Sequence, residues 1–369
     1  MKRTLIAFVA TVAAAVAVPA VAAAENGGPG ALQASIQAAV AAQISAATSA
    51  VHQTPVNGNA PVTNSAGDVT SGPSSANQNA EAKSHADSSN SAPTSQWTNQ
   101  AQSVAGAAVC AAGCGGAGAA QANGQASKTE QVSAAQSATE QTPVNGNAPV
   151  TISAGDVTSG PSSANQNAAA KSHAGSSNSA PTNQSSSQAQ SVGGTDACKG
   201  GCGGAGGAQL NAQHSETAQA SAAKSDTKQT PVNGNAPVII SAGDVTSGPS
   251  SANQNAEAKS HADSWNSAPT NQSSKQAQSV GGTGSCVAGC GGAGAAQLNA
   301  QKAATAQMSA ASSSTQQTPV NGNAPVTISA GGVTSGPSSA NQNAAAKSHA
   351  GSSNSAPTNQ WGTQSQSVG

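Results

Sequence analysis

The residues best equipped for chemistry are six cysteines in three close pairs, Cys110/Cys114, Cys198/Cys202 and Cys286/Cys290, each spaced C-x3-C and recurring every 88 positions. Beside an N-terminal export signal, such pairs point to disulfides, closed either locally or between repeats or chains. A short local loop removes little unfolded-state entropy, so only the longer-range pairing would build a covalent network. Structural zinc is a weaker reading, because the spacing is not C-x2-C and no second pair lies nearby to complete four ligands. A thiol-exchange enzyme is weaker still, since nothing around the glycine-flanked cysteines would lower a thiol pKa.

Histidine offers a second candidate. His85, His173, His261 and His349 are also 88 positions apart; the first and third sit in Ser-His-Ala-Asp, while Gly175 and Gly351 replace the aspartate in the other two. Ser, His and Asp close in sequence are not a triad, which needs a shaped, desolvated site with oxyanion donors. The histidines therefore read as solvated surface groups, with weak metal or surface interaction as the alternative. Neither catalytic residues nor bound cofactors or metals are expected. Trp97 and Trp361 occupy corresponding positions and Trp265 another, too scattered for a regular stacking platform. Asn183 and Asn271 begin Asn-Gln-Ser and would accept glycans in a eukaryotic secretory pathway.

Charge excludes one class of partner. With 12 basic and 13 acidic residues, no Tyr and one Phe, the chain has neither the positive field nor the aromatic surface for nucleic acid. Self or other cell-surface components are the expected partners.

The elements that would position these residues are copies of one 88-residue unit. Residues 1–24 have Lys2 and Arg3, an apolar run and a small-residue end, the pattern of a cleaved signal peptide. Residues 25–52 form an Ala-rich segment; 53–140, 141–228 and 229–316 are repeats one to three, and 317–369 is a partial fourth. After signal cleavage no apolar run is long enough for a transmembrane helix, so a secreted or cell-surface location is expected.

Within 141–228 the large apolar side chains are Val144, Val150, Ile152, Val157, Val192 and Leu210, too few to offset the ordering of so long a backbone in a conventional core. The expected fold class is accordingly a low-complexity repeat array without a conventional globular core. It is largely disordered or made of short β-strands with Ala-rich helical segments, and β-stacked assembly is the route to order. Leu32, Ile36, Val40 and Ile44 at four-residue intervals predict a helix over 31–50, and the Ala-rich connector 117–140 predicts transient helix. Asn145-Gly146 suits a tight turn, and Pro143 and Pro149 belong at strand starts or edges. Asn165, Gln166 and Asn167 either form amide ladders between stacked copies or stay hydrated. Short strands carrying Val62, Val150, Ile152, Val157, Val238, Ile240, Val245, Val326, Ile328 and Val333 are the candidate self-association segments.

The signal peptide, the PVNGNAPV motifs and the Ala/Gly/Ser/Asn-rich surroundings resemble exported actinobacterial surface proteins of the chaplin and rodlin kind. The resemblance implies amyloid-like surface layers for the segment from Val144 to Ile152. The functional expectation is an exported structural or surface-layer protein acting through repetitive weak self-association, or else a disordered adhesion or spacer protein.

Overall fold

Residues 88 apart are the same or closely similar along most of the chain, so each extended segment meets its own sequence after one circuit. Identical amides and β-branched side chains one above another are what an in-register parallel sheet stabilises best. The computed structural model describes residues 30–110, 118–198, 206–282, 285–286 and 294–368. In the first circuit the strands are β1 (Gly30–Gln53), β2 (Val56–Asn59), β3 (Val62–Ser65), β4 (Val69–Ser71), β5 (Ser74–Ser91) and β6 (Thr94–Cys110). The next circuits begin at Gly118, Gly206 and Gly294 and repeat the same order. Each strand pairs in parallel with its equivalent 88 residues on, giving six parallel sheets stacked rung on rung.

Each rung is a flattened arch. Strands β1 and β2 run out along one layer, β3 and β4 make the bend, and β5 and β6 return along the other. Contacts across the arch fix this path: Ser45 Oγ lies 2.6 Å from Ser88 Oγ, Ser84 Oγ donates to Ser49 O at 3.0 Å, and Gln37 Nε2 donates to Trp97 O at 3.0 Å. Prolines mark the breaks between strands, where the missing N–H leaves no donor unpaired. Their carbonyls still accept, as when Val144 N–H donates to Pro55 O at 2.8 Å and Val150 N–H to Pro61 O at 2.8 Å.

The interior between the layers is polar and small rather than greasy. Alternate residues point inward, and those that are buried include Gln121, Asn123, Gln125, Gln131, Ala164, Gln166, Ala170 and Ala174. The buried amides hydrogen-bond along the stack. Gln166 Nε2 donates to Gln78 Oε1 at 2.8 Å and to Pro143 O at 2.9 Å, and its own Oε1 accepts from Gln254 Nε2 at 2.8 Å. Asn145 Nδ2 similarly reaches Asn233 Oδ1 at 3.0 Å. One apolar cluster, Val69, Val157, Val245 and Ile239, fills the bend.

These observations overturn the expected fold class. The chain is an ordered all-β structure with extensive long-range pairing, neither a largely disordered array nor a coreless one. Amides and alanines build the core, so the scarcity of large apolar side chains does not leave the chain without one. Helix is corrected to strand over 31–50 and 118–140, which lie in β1 and its equivalent Gly118–Gln141. A four-residue spacing is also an even one, so Ile36, Val40 and Ile44 share the outer face of a strand, where each is exposed. The alternating inward glutamines gain ladder partners, as Gln131 does on Gln43 and Gln141 on Gln53, that outweigh alanine's helix propensity. Asn145-Gly146 is strand rather than turn (Val144–Asn147), with Asn145 buried in its ladder.

The candidate association segments pair with one another within the chain, those of the middle rungs on both sides and those of the first and fourth rungs on one. Val62 pairs with Val150, and Val238 with both Val150 and Val326; Ile152, Ile240 and Ile328 share one column. Val157 and Val245 are buried, while Val333 lies on the last rung. Extensive ordered pairing inside one chain thus replaces both expected functional modes, weak repetitive self-association and a disordered spacer, and with them the resemblance to chaplins and rodlins and its amyloid-like layers. Cys110, Cys198 and Cys286 occupy one column of backbone positions. Cys114, Cys202, Cys290 and the expected signal peptide lie outside the described residues, and with them the disulfide question. Among the described residues no helix is long and apolar enough to cross a membrane.

Candidate metal centre

The β5 column supplies the strongest constellation. Its inward residues are small, among them Ala82, Ser84, Ala86 and Ser88, and they seat the strand closely against β1. Ser84 Oγ accepts from Ser137 Oγ at 2.8 Å, and Ser172 Oγ donates to Ser137 Oγ at 2.8 Å, which locks successive rungs to the same layer. The outward residues, Glu81, Lys83, His85 and Asp87 in the first rung, are therefore held in straight rows.

In one row the four imidazoles stack face to face. Ring centroids are 4.7 Å apart for His85 and His173, 5.0 Å for His173 and His261, and 4.7 Å for His261 and His349, with interplanar angles of 10° to 11°. The spacing is that of adjacent strands. Beside this row the aspartates alternate with glycine. Asp87 Oδ2 lies 2.7 Å from His85 Nε2 and its Oδ1 lies 3.7 Å from His173 Nε2, so one carboxylate bridges two rungs. Asp263 repeats the arrangement, with Oδ2 at 2.6 Å from His261 Nε2 and His349 in the same group.

Glycine at the alternate positions leaves the aspartates room to lie over it. A Cβ at Gly175 would lie 2.5 Å from Asp87 Oδ1, and one at Gly351 would lie 2.9 Å from Asp263 Oδ1. Each aspartate thus leans over the glycine of the next rung. The result is two clusters, His85/Asp87/His173 and His261/Asp263/His349, in each of which the three candidate ligand atoms lie within 4.8 Å of one another. Burial, together with the neighbouring His85, lowers the pKa of His173 against the opposing pull of Asp87. The shift favours the neutral imidazole, the form that can ligate a metal. Two residues along the strand, Lys83 sits 2.7 Å from Glu81 and holds its carboxyl below the ordinary range.

Two imidazole nitrogens and a carboxylate oxygen are donor types that a divalent transition ion such as zinc, copper or nickel takes, and both rings would reach one ion after an imidazole turns out of the stack, whose parallel planes keep the lone pairs from converging. The clusters stand on an open face, half exposed. The histidines lie at the surface, as expected of solvated groups, and His85 and Asp87 meet His173 because the circuits stack. The missed signal was the 88-residue column itself, which sets a histidine over a histidine and an aspartate beside a glycine. The tryptophans remain apart within the chain: Trp97, Trp265 and Trp361 are each exposed, on the first, third and fourth rungs.

No protein-family model matches the chain. Comparison with curated proteins gives no match, and comparison with solved structures gives none either.

Proposed function

We propose that the chain is a folded β scaffold that binds divalent transition-metal ions along its histidine row, by coordination rather than catalysis. The observation that carries this reading is Asp87 reaching both His85 and His173, with Gly175 clearing the space and the same set recurring at His261, Asp263, His349 and Gly351. Met1–Ala24 supports action outside the cytoplasm, as a secreted or cell-surface protein, where ions exchange freely with the surroundings. Copies of the same chain are its proposed partners.

Titration of the purified chain with zinc, copper or nickel tests the reading by calorimetry. Two ions per chain are expected, one for each cluster. Asp87→Gly gives the first rung the residue already present at Gly175 and should keep the fold while abolishing one of the two sites; Asp263→Gly should abolish the other. Unchanged binding in both variants, or no saturable binding by the parent chain, would overturn it.

A further inference from the structure

We infer that folded copies of this chain dock end on, the fourth rung of one against the first rung of the next. Three independent features of the two end rungs fit each other. Trp97 on the first rung and Trp361 on the fourth belong to one column, whose two middle positions are Ser185 and Ser273. Both indoles are exposed, at 70% and 52%. Lys275 of the third rung lies 5.8 Å from the centroid of the Trp361 ring, which accounts for its inner side and leaves the side facing the chain end for another group. A second copy continuing the stack would set its Trp97 one strand spacing, about 4.8 Å, from Trp361. Two indoles at that separation bury large areas and stack.

Charge follows the same direction. The first rung (30–117) carries Lys83 against Asp68, Glu81 and Asp87, a net charge of −2, whereas the fourth (294–369) carries Lys302 and Lys347 with no acid, a net of +2. Like ends repel and unlike ends attract, which selects head to tail over head to head. The alternation inside the chain also continues across such a junction. Glu81, Ala169, Glu257 and Ala345 alternate along their column, so the Glu81 of an incoming copy would meet Ala345 rather than another carboxylate. It would also lie beside Lys347, as Glu81 lies 3.8 Å from Lys171 within the chain.

The amide ladders are directional too. Gln131 Nε2 donates both to Gln43 Oε1 on the rung before it and to Ser179 O, and Gln307 Nε2 donates to Gln219 Oε1. The series leaves the Gln307 Oε1 acceptor at one end and the second Gln43 Nε2 hydrogen at the other. Docking of this kind is heterologous and does not close, so it extends into filaments.

The test is sedimentation velocity of the full chain across concentration, with a chelator present throughout so that failure of the metal reading cannot affect the outcome. The parent chain should form a concentration-dependent series of species that shortens as salt screens the ends. Trp361→Ser installs the residue already present in that column at Ser185 and Ser273, and should weaken association at least about tenfold while leaving the melting curve of the monomer intact. Lys347→Glu should weaken it as well. Trp265→Ser, in a different column whose other members are serine, should leave it unchanged. A parent chain that stays monomeric at every concentration, or a Trp265→Ser effect equal to that of Trp361→Ser, would overturn the inference.

Discussion

A buried carboxamide such as Gln166 does the work that an aliphatic side chain does in most cores. Its Nε2 serves Gln78 Oε1, Pro143 O and Val232 O, and its Oε1 serves Gln254. Replacing it by leucine keeps the volume and adds apolar surface, so a purely hydrophobic account predicts a neutral or stabilising change. The ladder account predicts the opposite, because each buried polar group left unpaired costs about 1–3 kcal/mol. Gln166→Leu should therefore lower stability by more than about 3 kcal/mol in a denaturant melt, given the several groups it orphans. Gln342→Leu, on the exposed fourth rung, should cost far less, since only its bond to Gln254 Oε1 is lost from the ladder. Equal effects at the two positions would contradict a ladder core.

At the level of the strand, protection should follow position in the stack. Residues 162–179 and 250–267 have a paired neighbour on both sides, whereas 74–91 and 338–355 are edges. In a parallel strand alternate N–H groups point to opposite neighbours, so an edge strand leaves every second amide to water. Hydrogen exchange on dilute protein should show slow, uniform protection in the two central strands and two distinct classes of amide in the edge strands. Uniformly fast exchange throughout would contradict the stacked fold. The 88-residue register, the prolines at strand breaks and the amide columns can be read directly from SGPSSANQNA and its copies. The strands β1 and Gly118–Gln141 cannot, since alanine-rich segments favour helix locally and become strands only through a partner 88 residues away. The His85/Asp87/His173 cluster was hidden for the same reason: its members lie on different circuits, and the sequence shows only Asp87 beside His85.

For the whole molecule, the consequence of the register is that stability is built by whole circuits. Each rung touches mainly the rungs next to it, and such arrays tolerate removal of one unit at the cost of its own interfaces. Deleting residues 118–205 joins Ala117 to Gly206, the same junction type as Ala117 to Gly118, and restores every column in phase. It also brings Glu81 beside Glu257 and Asp87 beside Asp263, which removes the acid-free spacing supplied by Ala169 and Gly175. The shortened chain should keep its β-type far-ultraviolet dichroism and melt cooperatively at a lower temperature, and the deficit should shrink at acidic pH as the facing carboxylates are protonated. A deletion of half that length throws Gln against unlike residues and moves Asp87 away from any histidine of the next circuit, so it should abolish the cooperative melt altogether. If both deletions melted alike, the in-phase stacking of identical residues would not be what holds the fold, since only the longer deletion preserves it.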